Sequence, residues 1–333
     1  MTDKVFIIAE AGVNHNGSIE LAKELIDIAV KSGVDAVKFQ TFKAGLLATA
    51  DTPKAAYQKK NTNSGTGQLE MLKKLELDED AHIKLINYAE KQGILFLSTP
   101  FDHQSIDLLN RLGLGIFKIG SGDLTNIPYL RHIGRLNKQI ILSTGMSKLD
   151  EVGQALDALT EAGTPKDNII LLHTNTDYPS DFRDVNLRAM KTLADKFNIQ
   201  VGYSDHTPGI EIPVAAVAMG ATVIEKHFTI DRNMDGPDHQ ASLEPPELFQ
   251  MVRAIRNVQS ALGDGVKKPS VGEKKNMIAA RKSIVAATNI EKGAYLTRDK
   301  LAVKRPGNGI SPLKWDEVVG TRAKRDYKKD DLI

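Results

Sequence analysis

Eight short apolar runs rich in β-branched residues recur between residues 5 and 229, and each is followed by a longer stretch of polar and apolar positions in helical alternation. The runs are VFIIAEAGV (5–13), AVKFQTF (36–42), ILFLSTPF (94–101), IFKIGSGD (116–123), QIILSTGM (139–146), NIILLHTN (168–175), QVGYSDH (200–206) and TVIEKHFT (222–229). They read as strands. The intervening LAKELIDIAVKSG, DAHIKLINYAEKQG, HQSIDLLNRLG and LDEVGQALDALTEAG close on a glycine suited to a helix C-cap. Eight such β/α units predict an α/β fold, a closed (β/α)8 TIM barrel over residues 1–262. An open doubly wound sheet is the alternative, but no GxGxxG follows the first run.

The runs begin apolar and end polar. Glu10, Asn14 and His15, then Lys38 and Gln40, Ser98 and Thr99, Lys118, Ser121 and Asp123, Ser143 and Thr144, His173, Asn175 and Thr176, Ser204, Asp205 and His206, and finally Glu225 and His227 fall at or just past the carboxyl ends. In barrel enzymes that rim is the active site. A Ser or Asn closing a βα turn accounts for any one of these residues, but not readily for eight rims together. His206 and His227 end consecutive predicted parallel strands, with Asp205 and Glu225 nearby. Two neutral imidazoles suit a divalent metal and leave positions for water and substrate, although a single strand-end His is more often merely hydrogen-bonded. Lys38 and Lys118 lie within strands, where an interior ammonium needs an anion. With Thr99, Ser143 and the KIGSGD turn, they point to a phosphorylated or carboxylated substrate joined or cleaved with metal assistance. A Schiff-base aldolase using Lys118 or Lys38, a metal amidohydrolase and a carbohydrate-binding module remain open.

Two stretches depart from the β/α rhythm. The interval from Thr41 to Asp78, FKAGLLATADTPKAAYQKKNTNSGTGQLEMLKKLEL, is too long for an ordinary loop and reads either as a lid or as a surface insertion. Beyond residue 262 a Gly/Lys/Pro linker (263–280) leads into a β-rich module (281–333) with a turn signal at Lys292 and Gly293. A module this small buries little core and needs a surface to lean on, its own barrel or a second subunit. Arg305, in VKRPGNGIS, sits beside a constrained turn and is expected to meet an anion or polar substrate.

Composition narrows the classes. With 44 basic against 42 acidic residues there is no electrostatic footprint for nucleic acid, and the lack of Cys excludes disulfides and thiolate chemistry. No apolar run approaches the length of a membrane span, and the N-terminus is unlike a secretion signal, so a cytoplasmic location is expected.

AEAGVNHNGS, VKFQTFKA, FLSTPFD, FKIGSGD, ILSTGM, TDYPS, VGYSDHT, IEKHFT, GPDHQAS and KRPGNGIS, in that order, closely resemble the bacterial sialic acid (N-acetylneuraminate) synthase family, which includes the N,N'-diacetyllegionaminate synthases. The resemblance spans essentially the whole chain, and the tail looks like that family's antifreeze-like SAF domain. It implies condensation of phosphoenolpyruvate with an N-acetylated mannosamine-type sugar, releasing phosphate, with Mn2+ or Mg2+ on His206 and His227. It implies Lys38 and Thr99 at the phosphoenolpyruvate carboxylate, and Lys118, Ser121 and Ser143 at the phosphate. Glu10, Gln40, Asn61, Tyr178 and Asp238 would lie at the sugar, with Ser204 also on the substrate. A homodimer with exchanged SAF domains would bring Arg305 to the N-acetyl group. Two departures stand out: GSGD replaces the GSGE of many members, which shortens the reach of Asp123 in any catalytic role, and LLHTNT has Thr174 where relatives often carry Cys. N-acetylmannosamine is the expected sugar, because the polar KKNTNSGTGQ announces no apolar pocket for a C6 methyl group. The alternative is 2,4-diacetamido-2,4,6-trideoxymannose, decided by residues 43–70 and 178–182.

Overall fold

The computed structural model describes residues 4–62 and 67–333. Two compact units divide the chain, residues 1–263 and 264–333. In the first, eight parallel strands are β1 (Phe6–Gly12), β2 (Ala36–Thr41), β3 (Leu95–Pro100), β4 (Ile116–Ile119), β5 (Gln139–Ser143), β6 (Ile169–Thr174), β7 (Gln200–Asp205) and β8 (Val223–His227). They hydrogen-bond in the order β3-β2-β1-β8-β7-β6-β5-β4, and the terminal pair β3 and β4 pack side by side, which closes the sheet into a TIM-like barrel.

The helices are α1 (Ile19–Ser32), α2 (Ala44–Leu47), α3 (Ala56–Asn61), α4 (Gln68–Leu75), α5 (Glu79–Gln92), α6 (His103–Arg111), α7 (Ile127–Arg135), α8 (Leu149–Ala162), α9 (Arg188–Phe197), α10 (Glu211–Ala218) and α11 (Pro245–Leu262). Local chemistry explains their ends. Ser18 and Asp78 accept the amide hydrogens of Leu21 and Ala81 at the starts of α1 and α5, and Gly33 and Gly93, both at φ 76°, terminate them in the left-handed region. Ile7, Phe39, Phe117 and Tyr203 face this helical layer and are buried in it.

Inside the barrel a lower layer of Ile8, Ala36, Leu97, Ile141, Ile170, Leu172 and Val223 is apolar. Strand alternation then dictates the next inward positions two residues on: Glu10, Lys38, Thr99, Ser143, Thr174 and Glu225, all lining the cavity above. Gly202 on β7 is required by this packing, since a Cβ there would lie 2.3 Å from the Val223 carbonyl oxygen.

Three expectations are refined. β4 stops at Ile119, because Gly120 leads into a 3-10 turn over Ser121–Asp123. The long interval carries α2, α3 and α4; its residues 63–66 lie outside the described residues. In the second unit, more than half of the expected linker is helix α12 (Val271–Ala280), started by Ser270, which accepts from Glu273 N while the Glu273 side chain accepts from Ser270 N. The rest of that unit pairs β9 (Ser283–Ala286) with β10 (Leu301–Lys304) antiparallel, adds α13 (Trp315–Val318), and buries Ile284, Leu296, Leu301, Val318 and Tyr327 in its own small core.

One polar tie holds the amino-terminal end of the barrel. Asp35 accepts from Lys4 Nζ at 2.6 Å, Ile7 N at 2.8 Å and Arg256 Nη2 at 2.6 Å, joining β1, the α1–β2 loop and α11. Burial raises its carboxyl pKa, but these three donors outweigh burial and hold it below its ordinary value. A depressed pKa gives stability that is complete above the unfolded value, about 3.9, and disappears as pH falls through the folded one. Asp35→Asn is expected to lower the unfolding free energy by about 1–2 kcal/mol at neutral pH, and the gap to the parent should shrink below about pH 4. Urea unfolding at both pH values measures it; an equal gap at each would show that the carboxylate's charge is not what stabilises this end.

Candidate active site

The cavity at the carboxyl ends of the strands has a volume of about 290 Å³ and is lined mainly by polar side chains from all eight strands and their loops. Its floor is a cluster of four buried ionisable groups. Lys38 Nζ lies 2.7 Å from Glu10 Oε2 and 3.6 Å from Glu225 Oε2, and donates to Thr99 Oγ1 at 3.0 Å. Lys118 Nζ lies 3.7 Å from Glu225 Oε1 and donates to Ser143 Oγ at 2.7 Å. Ser204 Oγ donates to Glu225 Oε1 at 2.9 Å, and Gln40 Nε2 to Glu10 Oε1 at 3.4 Å.

The two carboxylates differ because only one stands between both ammoniums. Burial would raise the pKa of Glu225, but Lys118 and Lys38 overcome it and hold it at about 2. At Glu10 burial wins over Lys38, with Glu225 adding repulsion, and the pKa is pushed up to about 7. Lys118 is lowered to about 8 by burial against the pull of Glu225. Near neutrality the cluster therefore holds two ammoniums, one firm carboxylate and one carboxyl that readily takes a proton. Each proton on Glu10 leaves a net positive charge, which suits an anionic ligand.

His206 and His227 stand above this floor with ring centroids 5.4 Å apart. The Nδ1–H of His206 donates to the Asn175 carbonyl, which leaves the lone pair of Nε2 free. His227 Nδ1 is buried without a hydrogen-bond partner. Burial lowers both pKa values, His206 to about 4 and His227 well below its usual value, so both rings are neutral. Two neutral imidazoles, one with an unpartnered buried nitrogen and the other with its Nε2 lone pair free, fit a divalent cation. No group of three or more His, Cys, Asp or Glu able to hold a metal occurs among the described residues. Behind the pair, Lys226 and Asp205, both fully buried, form an ion pair; Lys226 also donates to the Thr207 carbonyl, and Asp205 accepts from Thr207 N at 3.1 Å and Oγ1 at 3.0 Å. This knot brackets His206 and adjoins His227.

Of the expected residues, Glu10, Lys38, Gln40, Thr99, Lys118, Ser121, Ser143, Tyr178, Ser204, His206 and His227 line the cavity. Tyr178 packs over the histidines, its ring 4.1 Å from that of His206 and 5.7 Å from that of His227. Asp238 lines an adjoining outer chamber of about 430 Å³, and burial raises its pKa to about 6. Two residues are placed elsewhere. Asp123 does not line the cavity: the 3-10 turn directs its carboxylate to Asn126, which caps α7. Asn61 is buried but donates to the Pro237 carbonyl at 2.8 Å, supporting the loop that carries Asp238. Arg305 belongs to the second unit, in the loop after β10. Sequence reasoning noted Glu225 only as a strand-end carboxylate; its position two residues before His227 marks the same inward face. It missed Tyr57 and Met146, which no local pattern singles out.

Residues 25–267 match the NeuB family and residues 281–333 match the SAF domain. The chain is 56% identical to an N,N'-diacetyllegionaminic acid synthase of Campylobacter jejuni subsp. jejuni over 99% of each chain. It is 50% identical to one of Legionella pneumophila subsp. pneumophila, covering 95% of this chain and 90% of that one. Among solved structures, the N-acetylneuraminic acid (sialic acid) synthetase of Leptospira borgpetersenii serovar Hardjo-bovis is 35% identical, with a TM-score of 0.72 over 82% of this chain and 90% of that one.

The Lys226 knot makes a stability prediction. Lys226→Met strands a buried carboxylate and is expected to cost about 3–5 kcal/mol, whereas adding Asp205→Leu should restore most of the loss. Thermal and chemical unfolding of the single and double variants measure this; a single-variant loss below about 1 kcal/mol would contradict the assignment.

Proposed function

The chain is a phosphoenolpyruvate-dependent nonulosonate synthase of the NeuB family, and from that premise we propose that its sugar is 2,4-diacetamido-2,4,6-trideoxymannose and its product N,N'-diacetyllegionaminate. The observation that carries this is the near full-length identity to two N,N'-diacetyllegionaminic acid synthases, well above that to the sialic acid synthetase. It reverses the expectation of N-acetylmannosamine, which rested on the polarity of a single stretch of the long insertion.

In this reading phosphoenolpyruvate occupies the floor. Lys38 and Thr99 hold its carboxylate, and Lys118, Ser121 and Ser143 its phosphate; Ser121 Oγ is itself set by the Gly145 amide at 3.0 Å. Protonation of Glu10 frees Lys38 from its ion pair and leaves the floor with a net positive charge, which offsets part of the charge of the trianion. The open-chain sugar places its aldehyde toward His206 and His227, with Gln40, Tyr178 and Asp238 along its length. A divalent cation, Mn2+ or Mg2+, held by those two histidines would supply Lewis-acid polarisation of the aldehyde oxygen. A new bond joins C3 of phosphoenolpyruvate to the aldehyde carbon, water adds at C2, and the C2–O bond breaks to give the keto acid and phosphate. Of the two protons the added water loses, one replaces the proton given to the new alkoxide and the other leaves with the phosphate, so a single group able to give and accept serves the first exchange. Glu10 is that group in this reading: it lines the cavity and Asp123 does not. Arg305 is assigned to the sugar's N-acetyl group in a partner copy, since the second unit's small core calls for a second surface.

Phosphate release with each sugar offered separately is expected to give a kcat/KM for the diacetamido-trideoxy sugar at least about tenfold above that for N-acetylmannosamine. Parity or the reverse order would return the assignment to N-acetylneuraminate synthesis. Chelated protein should be inactive until Mn2+ or Mg2+ is restored, and His206→Ala should not recover with either; full turnover after chelation would rule the metal out.

A further inference from the structure

The outer chamber differs in character from the floor. It adjoins the inner cavity, and Gln40, Tyr57, Phe101, Met146, Tyr178 and His227 are among the residues that line both. One of its walls is a face of α4: Gln68, Met71, Leu72 and Leu75, at i, i+3, i+4 and i+7, all line it, while Glu70, Lys73 and Lys74 do not. Met71 and Leu75 are buried with Val13 and Phe42, and Leu72 and Phe101 pack against them. Met146, 73% exposed, lines the chamber as well. A wall of thioether, leucine and aromatic surface left open beside a charged cavity is a place for the apolar part of a ligand.

We propose that Met71 and Leu72 of α4, with Phe101 and Met146, read the deoxy end of the sugar, receiving the C6 methyl group and the methyl of the C4 acetamido group. The inference rests on the reading of the site as a nonulosonate synthase. The reacting aldehyde must face the histidines and the bound phosphoenolpyruvate, so the carbons farthest from it extend through the shared opening into the outer chamber. There a C6 hydroxyl would exchange water for thioether and leucine carbon, with no hydrogen bond in return. A methyl group loses nothing and gains contact. Asp238 supplies the chamber with an acceptor for an amide N–H or a hydroxyl, but it does not distinguish a methyl from a hydroxymethyl group; α4 does.

The test uses the full-length protein and three sugars: the diacetamido-trideoxy sugar, 2-acetamido-2,6-dideoxymannose and N-acetylmannosamine. In the parent enzyme, removing the C6 hydroxyl from N-acetylmannosamine is expected to raise kcat/KM by about 10–100-fold. Leu72→Asn and Met146→Gln should each shrink that ratio severalfold, and Leu72→Asn, whose site lies outside the inner cavity, should leave the KM for phosphoenolpyruvate unchanged and turnover of N-acetylmannosamine equal or higher. The exposed Met146 keeps the test usable if Leu72→Asn fails to fold. A parent enzyme that prefers N-acetylmannosamine refutes the proposed sugar. A parent enzyme that prefers the diacetamido sugar, with both variants keeping the ratio or losing all three sugars equally, overturns the role of this wall alone.

Discussion

Four ionisable side chains with almost no exposure are packed into one layer of the barrel, and their mutual placement is the constraint on which the site depends. Any one of them alone would be prohibitive to bury; two ammoniums and two carboxylates linked by three Lys–Glu pairs at 2.7–3.7 Å are tolerable. Strand register supplies this placement. Glu10 lies opposite Lys38 across β1 and β2, and Ser204 opposite Glu225 across β7 and β8. The apolar layer beneath is as necessary as the charges, since it closes the barrel to water and makes each pairing count.

That arrangement also accounts for the unequal acids. Glu225 bridges lysines delivered by β2 and β4 and is held as a carboxylate. Glu10 has one lysine and a like charge nearby, and it retains a proton more readily. The difference is geometric, because both are buried strand glutamates of the same chemical type. The histidines above are neutral for a related reason: burial disfavours their charged form, and the backbone carbonyl of Asn175 sets the tautomer of His206.

The polar floor and the apolar outer wall come from different parts of the chain. The strands build the polar floor, and α4 in the long insertion builds the apolar outer wall. A rigid sheet suits groups whose spacing must hold within fractions of an ångström, while an inserted helix can change its side chains without disturbing the barrel.

The order of β/α units, the polar rim and most of the lining residues were legible in the sequence, because strand alternation is local and places Glu10, Lys38, Lys118 and His227 on the inward face without reference to the rest of the chain. The apolar face of α4 was equally local, but the polar KKNTNSGTGQ before it drew the reading the other way. Asp123 looked like a rim carboxylate until Gly120 began a 3-10 turn that pointed it at Asn126, and Asn61 proved to brace the Pro237 loop. Glu225 shows where local reasoning ends. Its inward direction follows from its spacing to His227, but its position between Lys38 and Lys118 exists only once strands distant in sequence meet around a closed barrel. The sequence by itself determined which residue types face inward and in what order, since those follow from backbone periodicity; tertiary structure decided which of them are neighbours, and hence their charges, since that depends on closure and long-range packing.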